Sequence, residues 1–182
     1  VAFALAASAC GPAEKSADSS TSRTKNAALP ASCATGGDCK VGDVGPGGGT
    51  VFFDAGANQA WGRYLEAAPK NVASDQLWCS SYRDIPGAGA TEIGAGKQNT
   101  IDIDAACNSG AGQVAADYVF GGKDDWYLPS KDELNVMFKQ KQLLGLSGEF
   151  LFSSSEAGYW TAWDIYMGDG TLYPQGKNNG RI

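Results

Sequence analysis

The chain has 182 residues with 20 acidic and 14 basic side chains, which gives a net charge of −6. This acidic balance argues against a nucleic-acid partner, because such binding depends on clustered lysine and arginine. The chain contains no histidine. That absence excludes the usual zinc ligand, the usual general base and every Ser–His or Cys–His nucleophile pair.

The N-terminal residues predict an export signal. An uncharged run of small and apolar residues, 1–9, ends at Cys10, and the residues that follow are mostly polar. The segment Ala7-Ser8-Ala9-Cys10 resembles the lipobox of bacterial lipoproteins, in which the cysteine carries the lipid. We therefore expect residues 1–9 to be the remnant of a signal peptide. Cys10 is then the lipid anchor to a membrane of the cell envelope, with the protein facing the exterior or the periplasm.

The same residues also fit a buried strand or short helix, with Cys10 as an ordinary core thiol. They are too few to span a bilayer, which takes about 20 apolar residues. The segment 11–32 favours the lipoprotein, because its Ser, Thr, Lys and Asp residues bury too little apolar surface to offset the entropy of ordering. Residues 10–32 are therefore predicted to be a lipidated cysteine and a flexible tether, with a mean reach of about 25 Å. Residues 33–182 remain for one domain.

Four cysteines lie in this domain: Cys33, Cys39, Cys79 and Cys107. Four cysteines allow three disulfide pairings. The short, glycine-containing loop between Cys33 and Cys39 can bring their sulfurs together, which leaves Cys79 to pair with Cys107. A zinc site of four thiolates is the alternative, although no CxxC spacing is present. Disulfides suit the oxidising compartment that an export signal implies.

The first predicted elements of the domain are strands. Residues 41–54 predict a strand, a tight glycine turn and a second strand. No lysine follows the glycine run, so it does not match a phosphate-binding P-loop. Residues 61–69 predict another strand. Residues 70–98 predict loops, with Trp78 and Tyr82 anchored in the core.

Helices and closing strands follow. A helix is predicted over 99–118, capped by one of its first two residues and kinked at 107–110. Ser130 and Glu133 have the spacing of a capping box, which predicts the start of a second helix. Apolar residues at helical spacing then predict its buried face. These residues are Leu134, Met137 and Phe138. Residues 150–175 predict closing antiparallel strands.

A series of motifs follows this framework along the chain. They are Val41-Gly-Asp-Val-Gly-Pro-Gly-Gly-Gly49, Tyr64-Leu-Glu-Ala-Ala-Pro69, Asp125-Trp-Tyr-Leu-Pro-Ser-Lys-Asp-Glu-Leu134, Ser153-Ser-Ser-Glu156 and Ala162-Trp163. In this order they resemble the Lcl C-terminal domain family of bacterial secreted and surface proteins. The resemblance covers about Cys33 to the end of the chain. It implies an α+β, C-type-lectin-like fold with two helices packed on a small twisted antiparallel sheet and long irregular loops. It also implies a binding or adhesion module without catalytic residues.

Two departures from related proteins matter. Family members continue through an Arg-Pro-Val-Arg-like strand, whereas this sequence stops at residues 180–182, so we expect a shortened last strand and an open sheet edge. The related formylglycine-generating enzymes share the fold and use a reactive cysteine pair late in the chain. No cysteine follows Cys107 here, so that activity is not expected.

The predicted ligand surface lies in residues 156–179. Aromatic rings stack on sugar faces, and aspartate and asparagine bind sugar hydroxyls or calcium. The candidate residues are Trp160, Trp163, Asp164, Tyr166, Asp169, Asn178 and Asn179. Alternatively, the two tryptophans belong to the core and residues 164–170 form only a turn. No cofactor is predicted, and calcium is left open.

The sequence therefore predicts a surface-exposed lipoprotein with a lectin-like domain that binds an extracellular glycan, a protein or cell-wall material. One alternative is a structural envelope protein that assembles through its edge strands. Another is a hydrolase with paired carboxylates, either Asp102 with Asp104 or Asp124 with Asp125. Such pairs at helix starts and turns are more often caps and solvated charges.

Overall fold

The structure, a computed structural model, describes residues 2–3, 7–10, 32–69, 72–73 and 75–179. Its strands are β1 (Ala2–Phe3), β2 (Ala7–Cys10), β3 (Thr50–Gln59), β4 (Gly62–Ala67), β5 (Phe150–Gly158), β6 (Thr161–Tyr166) and β7 (Leu172–Gly176). Its helices are α1 (Gly96–Ala106), α2 (Ala111–Ala116) and α3 (Lys131–Lys139), and a 3-10 turn spans Cys33–Thr35. None of the helices that the structure describes is long and apolar enough to cross a membrane.

The strands form two small sheets. One has the order β1-β5-β6-β7, with β1 parallel to β5 and the other pairs antiparallel. The second has the order β2-β4-β3 and is antiparallel throughout. The predicted α+β class with antiparallel pairing is confirmed. The described part of the chain has two sheets and three helices, whereas one sheet and two helices were expected.

The β5–β6 pair forms the centre of the core, because both of its faces are apolar. Successive side chains of a strand point to opposite faces, and Leu151 and Phe152 accordingly belong to different buried clusters. On one face, Phe152 packs in a cluster that includes Trp78 and Ile103 of α1. On the other face, Leu151 packs in a cluster that includes Leu134 of α3. The anchoring role predicted for Trp78 is confirmed.

The β3–β4 pair is buried on both faces by the same alternation. Phe52 and Leu65 join the cluster around α3. Val51 and Tyr64 pack instead on the disulfide-bonded turn of Cys33–Cys39. The small disulfide loop therefore covers the outer face of this sheet.

Both predicted disulfides are confirmed. Cys33 is bonded to Cys39, and Cys79 is bonded to Cys107. The alternative in which four thiolates converge on zinc is therefore wrong. The second bond joins the loop after residue 75 to the end of α1, so it fixes this long loop against the helix.

The predicted helix over 99–118 is in fact two helices. Cys107, held by its disulfide, adopts an extended backbone (φ −103°, ψ 139°) and ends α1. Gly110 then has a φ of +146°, and a Cβ there would lie 2.5 Å from the Trp78 carbonyl oxygen. The close approach of Trp78 therefore interrupts the helix, and α2 starts afterwards.

The predicted cap of this helix is also wrong. α1 begins at Gly96, so Asn99 and Thr100 lie inside it, and both are buried. Asn99 Nδ2 donates to the Ala90 carbonyl oxygen at 2.7 Å, and Thr100 Oγ1 donates to the Gly96 carbonyl oxygen at 2.8 Å. The two polar side chains bind the interior of the fold instead of capping the helix.

The predicted start of α3 is confirmed. Ser130 Oγ accepts from the Glu133 N–H at 3.3 Å, and Glu133 Oε2 accepts from the Ser130 N–H at 2.7 Å. These two bonds complete the capping box. Leu134 and Met137 are fully buried and Phe138 is half-buried, as the apolar spacing predicts.

The glycine-rich segment 45–49 folds around a carboxylate of the protein itself. Glu66 is fully buried in β4. It accepts from the Gly47 N–H, at 3.2 and 3.1 Å to its two oxygens, and from the Gly49 N–H at 3.1 Å. The first arm of the predicted hairpin is reduced to a single isolated bridge with β3, between Val44 and Thr50.

The predicted lipobox forms β2, whose Ala7–Cys10 pairs antiparallel with β4. This backbone arrangement corresponds to the alternative in which the segment is a strand. Cleavage and lipidation at Cys10 stay predictions. The predicted tether lies outside the described residues except for Ser32, which already belongs to the turn at Cys33–Thr35. Residues 180–182 also lie outside the described residues.

Candidate functional site

The predicted ligand residues lie at both ends of β6 and within this strand. Trp160 lies in the turn between β5 and β6. Tyr166 ends β6, and Asp169 lies in the turn that leads to β7. The strand separates these two ends by about 17 Å, at 3.3 Å per residue. The predicted residues therefore do not form one site.

The group at the Tyr166 end is structural. The Tyr166 ring packs on Phe150 with centroids 4.7 Å apart. Asp169 Oδ1 accepts from the Thr171 N–H at 2.9 Å. Hydrogen bonding from Thr171 also holds the pKa of Asp169 below its usual value. Residues 167–169 thus form a turn, as the alternative interpretation expected, whereas residues 164–166 belong to β6.

Two predicted ligand residues lie within β6 itself, and neither of them is exposed. Asp164 is buried, so its carboxylate is not presented to a ligand. Trp163 is half-buried, and the Lys131 ammonium lies 3.9 Å from its ring centroid. This cation–π contact ties the first turn of α3 to the sheet. The structure favours a packing role for both residues.

The opposite end of β6 carries a group of exposed aromatic rings. Trp160 is 60% exposed and Tyr159 is 45% exposed. Tyr82 meets Trp160 edge-on with centroids 4.8 Å apart, and Tyr159 meets it edge-on at 4.6 Å. We call Tyr82, Tyr159 and Trp160 the aromatic platform. The core role predicted for Tyr82 is wrong, because this half-buried ring packs at the surface against Trp160.

The backbone of Lys177 holds this platform together. Its N–H donates to the Trp160 carbonyl oxygen at 3.0 Å. Its own carbonyl oxygen accepts from the N–H groups of Trp78 at 2.9 Å and Cys79 at 3.1 Å. Asn178 and Asn179 follow directly and are exposed. Three distant segments thus meet at Lys177, and the two predicted asparagines directly follow this residue in the chain.

The buried side chain of Lys177 also joins these chain segments, and we call this meeting point the Lys177 junction. It is fully buried, and its ammonium lies 5.0 Å from the Trp78 ring centroid. Nζ donates to the Arg83 carbonyl oxygen at 2.6 Å and forms an ion pair with Glu156. Glu156 also accepts from the Ile85 N–H at 3.1 Å. A buried charge pair of this kind fixes the geometry of the segments that it joins.

Two of the carboxylates considered for hydrolysis make contacts with neighbouring polar side chains. Asp102 and Asp104 both lie in α1, and Asp102 accepts from Gln98 Nε2 at 3.3 Å. Asp125 forms an ion pair with Lys97 at 3.7 Å, and Asp124 is exposed. Within the described residues, no three His, Cys, Asp or Glu side chains are grouped so that they could hold a metal ion.

Sequence reasoning missed Tyr159, Glu156 and Lys177 as parts of this site. Tyr159 had a visible signal, since it adjoins Trp160 at a predicted strand end. A fully buried lysine has no such signal, because lysine is almost never fully buried unless it is paired. Comparisons with protein-family models, curated proteins and solved structures found no match to this chain.

Proposed function

We propose that this protein is a lipid-anchored bacterial surface protein whose domain 33–182 is a C-type-lectin-like binding module. The α+β fold with antiparallel pairing and the motif order that resembles the Lcl C-terminal domain family support the module. The two disulfides support an oxidising location outside the cytoplasm. The anchor rests on the lipobox-like sequence that ends at Cys10.

The observation that carries the binding role is the aromatic platform. Trp160 exposes 60% of its surface although it is a large apolar side chain. Its two tyrosine neighbours and the backbone of Lys177 hold it in place. Aromatic rings of this kind stack on the apolar faces of sugars, and the nearby amides of Asn178 and Asn179 suit hydroxyl groups. A glycan on the cell surface or in the cell wall is therefore the favoured ligand.

Self-assembly through a sheet edge is less well supported. Among the strands that the structure describes, β7 lies at the end of its sheet. Pro174 lies in this strand, however, and proline has no backbone N–H to donate to an added strand. We therefore favour ligand binding over assembly.

A glycan array probed with the chain, with and without calcium, tests the proposal. Trp160→Ala should weaken binding about tenfold or more, as expected for an aromatic anchor at the centre of a site. Tyr173→Ala is the matched control, because Tyr173 is an exposed aromatic residue of β7 outside the platform. No glycan binding under either condition would overturn the glycan proposal, and full binding by Trp160→Ala would exclude the platform.

A further inference from the structure

Four chain segments, two of which carry the aromatic platform, are joined by backbone hydrogen bonds. They are residues 79–84, 107–110, 156–161 and 176–179. The Lys177 carbonyl oxygen accepts from the Cys79 N–H at 3.1 Å, and the Lys177 N–H donates to the Trp160 carbonyl oxygen at 3.0 Å. The Ser80 N–H donates to the Ser109 carbonyl oxygen at 3.0 Å. We call these four the platform segments, because the bonds bring them to one part of the surface.

Most exposed polar side chains of the platform segments are uncharged. These are Ser80, Ser81, Asn108, Ser109, Asn178 and Asn179. The amide of Asn179 lies beside the platform strand pair, since its Nδ2 would be 2.9 Å from a Cβ on Gly176, which is paired with Thr161 next to Trp160. Serine and asparagine side chains both donate and accept hydrogen bonds. Sugar hydroxyl groups also do both, so they match these side chains without an ion pair.

The charged side chains of the platform segments balance one another. Two are basic and two are acidic: Arg83, Lys177, Asp84 and Glu156. Lys177 is fully buried and forms an ion pair with Glu156. Arg83 Nη1 donates to the carbonyl oxygen of Ala106, the last residue of α1, at 2.6 Å. Both cations thus already bind groups of the protein, and these segments have no excess charge of either sign.

This balance favours one class of glycan. Carboxylate and sulfate groups are usually bound by arginine or lysine, and the net charge of −6 repels a polyanion at longer range. A cationic glycan would need a local excess of carboxylates to give complementary charge. The ring of Trp160 contributes apolar contact, which does not require a charged ligand.

We propose that the aromatic platform binds an uncharged glycan. Trp160 supplies the apolar contact, and the serine and asparagine side chains of the platform segments supply neutral hydrogen bonds. This inference rests on the proposed glycan-binding role and adds the chemical class of the ligand. Because no ion pair forms, the affinity should depend little on salt concentration.

Binding of the full chain, produced without lipid modification, to three matched pairs of immobilised polysaccharides tests the inference. The pairs are dextran with dextran sulfate, hydroxyethyl cellulose with carboxymethyl cellulose, and glycol chitin with glycol chitosan. The first member of each pair is uncharged, and the second is anionic in two pairs and cationic in the third. We expect the chain to bind an uncharged member about tenfold or more tightly than its charged partner. This affinity should change less than about twofold between roughly 50 and 500 mM salt.

Variants separate neutral hydrogen bonding from charge. Asn179→Ala should lower the affinity about threefold, whereas Asn58→Ala, at an exposed position in β3, is the matched control and should leave it unchanged. Asp84→Asn and Arg181→Gln each remove one charge and should change the affinity less than about twofold. Arg181 is included because it follows Asn179 closely in the sequence, although it lies outside the described residues.

Several results would contradict an uncharged ligand. Tighter binding to a charged member that requires Trp160 and is lost at high salt would overturn the inference, while the glycan-binding role would stand. A large change of affinity in Asp84→Asn or Arg181→Gln would overturn it in the same way. No binding to any of the six polysaccharides would also overturn it, and the glycan array then shows whether the glycan-binding role fails as well.

Discussion

At the scale of single residues, the glycine spacing in segment 45–49 is explained by Glu66. A Cβ on Gly45 would lie 2.1 Å from Glu66 Cδ, and one on Gly49 would lie 2.5 Å from the Ala67 carbonyl oxygen. Only glycine leaves room for the buried carboxylate to meet the backbone N–H groups. A glycine-rich loop that could suggest phosphate binding is thus filled by an acidic side chain of the same chain.

This packing predicts different effects for two glycine substitutions. Gly45→Ala should lower the free energy of unfolding by about 1–3 kcal/mol, because the new methyl group forces Glu66 from its hydrogen bonds. Gly89→Ala is the control, because nothing lies within 4 Å of a Cβ there and no positive φ is required. Urea unfolding measures both variants, and equal stability of the two would contradict this role of Glu66.

Glu133 makes stability depend on pH through its own titration. Burial raises the pKa of this carboxyl above its usual value, and hydrogen bonds from Ser130 and Gly94 only partly oppose that effect. The folded state therefore holds the proton more tightly than the unfolded state does. The stabilisation is complete below the unfolded-state pKa and is lost as the pH rises through the folded-state pKa.

Glu133→Gln tests this sign, since glutamine keeps the shape but does not titrate. Urea unfolding of both proteins between about pH 4 and pH 8 gives the difference in unfolding free energy, in which the other carboxylates cancel. We expect the advantage of wild type over Glu133→Gln to shrink as the pH rises. An advantage that grew with pH would mean that hydrogen bonding, and not burial, dominates the pKa.

Sequence patterns predict single residues well where the contact is local. The capping box of Ser130 and Glu133 spans one helical turn, so its spacing is enough to find it. The burial of Glu66 depends on a loop that lies 17 to 19 residues earlier in the chain. Nothing in the neighbourhood of Glu66 specifies that partner, and its role was therefore missed.

At the scale of elements, the platform depends on a junction between segments far apart in the sequence. The strands β5 and β6 could be predicted, and so could Trp160 between them. The position of Tyr82 depends on the ion pair of Lys177 and Glu156, and on the carbonyl oxygen of Arg83 that the same lysine binds. Such tertiary contacts leave no periodic pattern, which is why the sequence assigned Tyr82 to the core.

A double-mutant cycle tests this junction. Lys177→Met should lower the free energy of unfolding by about 3–5 kcal/mol, because it leaves the Glu156 carboxylate without its buried cation. Lys177→Met combined with Glu156→Gln should lose less than Lys177→Met alone, since no unmatched charge remains. Urea unfolding measures the cycle, and strictly additive losses would show that the two side chains do not act as a pair.

At the scale of the whole molecule, the two largest buried clusters share β5 and β6. Phe152 and Ala162 contribute to one cluster, and Leu151 and Ile165 contribute to the other. Neither cluster can lose its packing without exposing one face of the same strand pair. The two halves of the core should therefore unfold together, although they contain different helices and different loops.

Matched substitutions in the two clusters test this cooperativity. Ile103 and Ile165 are both fully buried, one in each cluster. Shortening either to valine should lower the free energy of unfolding by about 1 kcal/mol. Each variant should give one urea transition, seen together by tryptophan fluorescence and circular dichroism, with a lower midpoint and an unchanged slope. If the clusters were independent, each substitution would move only one phase of a two-phase curve. The shared strand pair predicts instead that a substitution on either face lowers the stability of the entire core.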